Sequence, residues 1–113
     1  MDEAWLYKVD NVSGGTVAAN TEVFKRDAFS FWAPLDQQFL DVIVNLARTK
    51  NIEYISPFWS SLFFSYLDYN TSNASLSYAA TVALLDQSVA TNITQDKFSA
   101  TGDAYRKLIQ SNP

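Results

Sequence analysis

The chain of 113 residues contains neither cysteine nor histidine, which limits how it can fold and what chemistry it can perform. Without cysteine there is no disulfide framework, no Cys-ligated zinc and no thiol nucleophile. Without histidine, the commonest acid–base group at neutral pH and the commonest metal ligand are also missing. Ser-His-Asp, Cys-His and His-zinc mechanisms are therefore excluded within this chain, and its fold must rest on a hydrophobic core.

Length and apolar content predict one domain around one core. A chain of 113 residues is close to the commonest single-domain size, and 48% of it is hydrophobic, including 15% aromatic residues. No repeat, low-complexity tract or long linker divides it. We expect a single domain over 1–113 of the mainly α class. It comprises a small bundle of about four helices over 34–111, preceded by an N-terminal β-hairpin or extended arm over 1–30.

The first 30 residues have the pattern of a hairpin rather than of a helix. Aromatic and β-branched residues flank the turn signal Gly14-Gly15, over 5–9 on one side and within 16–24 on the other. An isolated hairpin is only marginally stable, so it would have to pack on the helices. An irregular arm is the alternative.

Helical periodicity is clearest in the segment 34–49. Pro34 suits the first helical turn, while Arg48 and Lys50 suit the C-terminal end, where cations meet the partial negative charge of the helix. Apolar side chains recur at spacings that place them on one helical face. The members of this predicted buried face are Leu35, Phe39, Val42, Ile43 and Leu46.

The segment 56–69 predicts a second helix of unusual composition. Ser56 followed by Pro57 is typical of a helix start. The residues that follow leave almost no polar face, so this helix is either buried on all sides or presents one side to a partner. Its aromatic members form plain core or else a candidate partner or ligand surface, and they are Phe58, Trp59, Phe63, Tyr66 and Tyr69.

Two further helices complete the predicted bundle. The third follows a turn at 70–73 and extends over about 74–90. The fourth begins with Thr94 as N-cap and has Asp96 in its first turn. Gly102 weakens the middle of this helix by roughly 1 kcal/mol relative to alanine.

The charge distribution argues against a nucleic-acid partner, and no apolar run predicts a membrane span. The net charge is -4, and the stretch 51–96 contains no Lys or Arg, whereas a groove that follows phosphates needs clustered cations. The longest apolar-looking run, 54–67, is shorter than the roughly 20 residues needed to cross a bilayer. We expect a protein partner, either self or another subunit, or a small apolar or saccharide ligand.

Four N-x-[ST] sequons indicate an extracellular or surface location. The candidate glycosylation sites are Asn11, Asn70, Asn73 and Asn92. Chance matches in a chain rich in Asn, Ser and Thr are the alternative, which leaves a cytoplasmic location open. The acidic start of the sequence does not resemble a secretory leader, so either a leader was removed or there was none.

No spacing of residues marks a catalytic or metal site. Asp36 and Asp41 fall on different helical faces, and helix-terminal charge placement explains Asp36 and Asp96. The segment 68–73 has oxygen ligands but lacks the glycine and closing acid of a calcium loop. We therefore expect no catalytic residues, no metal and no cofactor.

Three functions follow from these observations, in order of preference. The first is a non-catalytic structural or protein-interaction domain of an extracellular or particle-surface assembly. The second is a helical sensor or carrier module that binds a small ligand in an aromatic pocket near Trp59, Phe63 and Tyr66. The third is an enzyme that uses Asp or Tyr groups, which no spacing in the sequence supports.

Overall fold

The computed structural model describes residues 25–57 and 60–111. This part of the chain is mainly helical, as predicted, and contains four α-helices and no strand. The helices are α1 (Ala33–Thr49), α2 (Thr71–Ala74), α3 (Tyr78–Thr94) and α4 (Ala100–Gln110), with 3-10 turns at Arg26–Ala28, Ser30–Trp32 and Ser60–Phe63. Both predicted strands of the N-terminal hairpin lie outside the described residues.

Helix α1 begins and ends where the sequence predicts, but its buried face differs. Pro34 lies in the first turn and Arg48 in the last. The predicted buried face is wrong, because Leu35, Val42 and Leu46 are exposed to 38%, 64% and 42%. α4 packs against α1, and it is the adjoining face of α1 that is buried. The residues buried on α1 are Asp36, Leu40, Val44 and Ala47.

The predicted second helix over 56–69 is wrong. Its described residues form only the turn Ser60–Phe63, after which the chain is extended and joins residues 28–30 through a parallel bridge between Phe29 and Leu67. The Leu67 amide donates to the Ala28 carbonyl (2.8 Å), and its carbonyl accepts from the Ser30 amide (2.9 Å). Serine and aromatic residues are poorer helix formers than leucine or alanine, so this segment has little intrinsic preference for a helix. As an extended chain it can still bury its apolar side chains.

Helices α3 and α4 both begin later than predicted, because other serines serve as their N-caps. The hydroxyl oxygen of Ser77 accepts from the Ala80 amide (3.2 Å), so α3 starts at Tyr78. Ser99, rather than Thr94, caps α4 and accepts from the Gly102 amide (3.1 Å). Thr94 instead ends α3.

Asp96 follows α3 with a φ of 53° instead of lying in the first turn of α4. This left-handed conformation closes the C-terminal end of a helix, and aspartate tolerates it better than most residues do. The Lys97 amide then donates to the Asn92 carbonyl (2.8 Å). The prediction for Asp96 is therefore wrong, since it terminates one helix rather than starting the next.

The core lies between α1, α3, the turn Ser60–Phe63 and the paired segments around Phe29 and Leu67, with α4 packed against it. Phe29, Leu40 and Leu62 are at most 1% exposed, and the ring of Phe63 stacks on that of Tyr105 at 4.7 Å. Two hydrogen bonds fix the start of α4 on this core: the Ser99 amide donates to the Phe63 carbonyl (2.8 Å), and the Ser99 hydroxyl donates to the Leu62 carbonyl (2.5 Å). α4 therefore begins in direct contact with the 60–63 backbone.

Candidate interaction surface and neighbouring groove

Three large aliphatic side chains form an exposed line along α1, which we call the α1 stripe: Leu35, Val42 and Leu46. Phe39 lies between them in sequence and is half-buried against the core. The spacing of four, three and four residues from 35 to 46 places these positions on one helical face. The stripe therefore runs beside the buried face of α1.

An exposed aromatic pair adjoins the N-terminal end of this helix, and we call it the Phe31–Tyr69 pair. Phe31 is 50% exposed and Tyr69 is 64% exposed, and their rings meet edge to face at 5.3 Å. The buried Phe29 ring supports both, at 6.2 Å from Phe31 and 5.1 Å from Tyr69. Because the turn Ser30–Trp32 leads directly into α1, the pair lies at the end of the helix where the stripe begins.

The structure separates the aromatic residues that the sequence grouped as a surface. Tyr69 is exposed, Tyr66 is half-buried, and Phe63 is buried against Tyr105 in the core. Phe58 and Trp59 lie outside the described residues. Sequence reasoning missed the α1 stripe as a surface, although its periodicity was visible, because apolar spacing does not say which of two adjoining faces is buried.

A buried polar network connects α1, the extended segment and α4. The Tyr66 hydroxyl donates to Asp36 Oδ2 at 2.6 Å and lies 2.9 Å from Thr101 Oγ1. Because Tyr66 uses its single proton on the carboxylate, Thr101 must be the donor in the second bond. Asp36 and Thr101 are both fully buried. Asp36 does lie in the first turn of α1, as predicted. The sequence offered no local sign of the network, because Tyr66 is 30 residues from Asp36 and 35 residues from Thr101.

The environment of Tyr66 keeps its hydroxyl protonated. Burial, and secondarily the hydrogen bond to the Asp36 carboxylate, raise the pKa of Tyr66 far above its ordinary value of 10.0. Burial also raises the pKa of Tyr105. The Tyr66 hydroxyl is therefore a neutral donor to the Asp36 carboxylate at neutral pH.

A groove of about 840 Å³ lies above this network, between the start of α1, residues 64–66, the end of α3 and the start of α4. Tyr66 and Asn92 contribute to its lining. The ring of Phe98 stacks on that of Phe64 at 5.6 Å and lies 5.1 Å from the Arg106 guanidinium. Both contacts are made within the chain, so they leave less of this ring for a ligand. The charged lining is balanced, with two acids and two bases, namely Asp96, Asp103, Lys97 and Arg106.

The described sequon asparagines lie in two places. Asn70 is the N-cap of α2, and Asn73 lies within that helix. Asn92 lies in the last turns of α3 beside the groove. Asn11 lies outside the described residues.

The described part of the chain has neither a cluster of metal ligands nor a helix that could span a membrane. Residues 25–57 and 60–111 contain no group of three or more acidic, Cys or His side chains placed to hold a metal ion. None of the helices in this part of the chain has the length and apolar character of a membrane span. No protein-family model, curated protein or solved structure matches the chain.

Proposed function

We propose that this chain is a non-catalytic protein-interaction domain of an extracellular or particle-surface assembly. It binds a neighbouring subunit, either another copy or a different chain, through the α1 stripe and the Phe31–Tyr69 pair. The observation that carries this proposal is the 64% exposure of Val42 in the middle of the 17-residue helix α1, on the same helical face as the exposed Leu35 and Leu46. Contiguous exposed apolar side chains of this kind are typical of interaction surfaces.

The composition around the stripe also supports an interface. Between residues 37 and 47, Asp41 is the only charged residue, and its Oδ1 already accepts from the Asn45 side chain at 3.2 Å. Gln38, Asn45 and Thr49 are the exposed polar neighbours. Depletion of charge around apolar and aromatic side chains distinguishes the centre of an interface from ordinary surface.

Energetic considerations indicate that the stripe and the aromatic pair act together. Full burial of a leucine, valine or aromatic side chain contributes about 1.5–3 kcal/mol. Because the three stripe residues are only 38%, 64% and 42% exposed, burying the rest of them would supply roughly half of the full sum, about 2–4 kcal/mol. This is less than most of the range of roughly 4–15 kcal/mol lost on association. Phe31 and Tyr69 add two exposed aromatic rings, a residue class that is enriched at interfaces, and tyrosine is also enriched at binding hot spots. We therefore expect the complex to need both parts of the surface.

Replacing Val42 with glutamate should weaken assembly without unfolding the domain. A charge at the centre of the stripe must be desolvated on binding, so we expect at least a ten-fold weaker association. Because Val42 is already largely exposed, the thermal midpoint should change little. Sedimentation equilibrium at micromolar concentration, on the chain alone and with subunits co-purified from its source, measures the effect.

The matched control is Gln87→Glu, which adds the same charge to an exposed position on α3. It should leave association unchanged. Two results would contradict the proposal: a wild-type chain that is monomeric with no co-purifying subunit, or a Val42→Glu variant that assembles like the wild type.

The groove supports a second candidate function, the binding of a small neutral ligand. Its volume falls within the range of small-molecule sites, and its balanced charges suit a neutral polyhydroxylated compound better than a phosphate. Ala100→Trp should fill the groove from an exposed position, whereas Ala90→Trp adds the same side chain on α3 away from the lining. Saturation-transfer NMR with neutral mono- and disaccharides should give signals that only Ala100→Trp removes. If no sugar gives a signal with the wild type, this candidate is wrong.

A further inference from the structure

The three described sequons differ in whether the side-chain nitrogen of the asparagine already donates a hydrogen bond. N-linked glycans attach to the asparagine Nδ2. Asn73 Nδ2 donates to the Asp68 carbonyl at 2.9 Å, and Asn92 Nδ2 donates to the Phe64 carbonyl at 2.8 Å. Asn70 uses only its oxygen, which accepts from the Asn73 amide at 2.9 Å. Its Nδ2 makes no hydrogen bond to any of the residues that the structure describes.

The hydroxyl that completes each sequon shows the same difference. The motif requires Ser or Thr two residues after the asparagine. Ser75, which completes the Asn73 sequon, donates to the Ser72 carbonyl (2.9 Å), and Thr94, which completes that of Asn92, donates to the Ala90 carbonyl (2.9 Å). Ser72 completes the Asn70 sequon, and its hydroxyl makes no hydrogen bond within residues 25–57 and 60–111.

The surroundings of Asn70 and Asn92 also differ in the space that they offer. Asn70 is exposed and precedes the single-turn helix α2, with Thr71 and Ser72 exposed beside it. Asn92 is half-buried in the last turns of α3, and its bond to Phe64 crosses from that helix to the extended segment. A glycan on Asn92 would have to leave past this contact, whereas one on Asn70 points into solvent without displacing a partner.

We propose that Asn70 is the N-glycan acceptor of the folded domain, and that Asn73 and Asn92 stay unmodified. In the reaction, Nδ2 loses a proton and forms a bond to C1 of the first N-acetylglucosamine. The bond from C1 to the phosphate oxygen of a lipid-diphosphate-linked oligosaccharide breaks, and the lipid diphosphate leaves. The Asn70 side-chain oxygen keeps its bond to the Asn73 amide, so the cap of α2 survives modification.

The test uses the full chain, fused to a cleavable secretion leader and expressed in eukaryotic cells. All variants carry Asn11→Gln, so that any glycan comes from the described sequons. Glycopeptide mapping, on secreted protein or on the chain recovered from the endoplasmic reticulum, should find a glycan at Asn70 alone. Asn70→Gln should remove it completely, while Asn73→Gln and Asn92→Gln should leave it in place. A chain without a glycan at Asn70, or with one at Asn73 or Asn92, would overturn the proposal.

A second measurement does not depend on how well the variants fold. Peptide N-glycosidase removes the glycan and converts the linked asparagine to aspartate. At Asn70, a carboxylate is as good an N-cap as an amide, so the thermal midpoint should not change. At Asn92, the same conversion would remove the donor to the Phe64 carbonyl and lower the midpoint. A lowered midpoint would therefore contradict Asn70 as the site.

Discussion

Gly102→Ala is expected to destabilise the domain by about 3 kcal/mol, although alanine is the better helix former. A Cβ atom at position 102 would lie 1.9 Å from the Phe63 carbonyl oxygen and 2.8 Å from its carbonyl carbon. These are backbone atoms, so no side-chain rotation can relieve the overlap. The same oxygen accepts from the Ser99 amide, and moving it away would break the contact that fixes the start of α4.

Chemical denaturation of the purified variant measures this loss. In an ordinary helix interior, glycine to alanine gains about 1 kcal/mol, so the structure predicts a change of the opposite sign. Ala104→Gly, two residues along the same helix, is the control and should cost about 1 kcal/mol through helix propensity alone. A Gly102→Ala variant as stable as the wild type would show that α4 does not approach Phe63 this closely.

The sequence predicted those helices whose signals are local and consistent. In α1, apolar periodicity, Pro34 in the first turn and Arg48 in the last turn all agree, and the observed bounds match closely. In α3 and α4, the periodicity was visible but the start was not, since several Ser, Thr and Asn residues precede each helix. Ser77 and Ser99 serve as caps because tertiary contacts place them there, and Ser99 also bonds to the Leu62 carbonyl.

The extended segment after Phe63 could not be predicted from its apolar pattern. A run rich in aromatic residues fits a buried helix or a buried extended chain equally well. The choice depends on the bridge between Leu67 and Phe29, which joins residues 38 positions apart in the numbering. The network around Tyr66 has the same origin, because Asp36 and Thr101 approach it only after the chain has folded.

The face of α1 that is buried differs from the predicted one, and this difference bears on function. Apolar residues cover two adjoining faces of this helix, and within residues 25–57 and 60–111 only the face with Leu40, Val44 and Ala47 is buried. Larger side chains, including Val42 and Leu46, therefore stay outside the core. A helix with more apolar surface than its own domain buries is what an interaction domain requires, so this excess is the link between sequence pattern and proposed function.

Tyr66→Phe is expected to lower the free energy of unfolding by about 2 kcal/mol at neutral pH. The substitution keeps the ring but removes the hydroxyl that donates to the fully buried Asp36 and accepts from Thr101. Hydrogen bonds to a buried charged group are worth more than neutral ones, so most of the loss comes from Asp36. Thr101→Val leaves the bond between Tyr66 and Asp36 in place and should cost less, about 1 kcal/mol.

The pH dependence separates this network from simple packing. The raised pKa of Tyr66 means that, above about pH 10, the unfolded chain releases a proton that the folded chain retains. The stability contributed by Tyr66 is therefore constant below pH 10 and falls above it, by at most about 1.4 kcal/mol per pH unit. Tyr66→Phe should remove that part of the alkaline slope, while Tyr105 contributes equally in both proteins.

Urea denaturation between pH 7 and pH 11 tests both expectations. Tyr69→Phe is the control, because the Tyr69 side chain is largely exposed and its hydroxyl makes no hydrogen bond to the described residues. It should match the wild type at neutral pH. If Tyr66→Phe is as stable as the wild type at neutral pH and falls as steeply at high pH, Tyr66 does not donate to Asp36 in the folded protein. A stable variant with a shallower alkaline slope would instead show that the hydroxyl is buried but contributes little net free energy through its bonds.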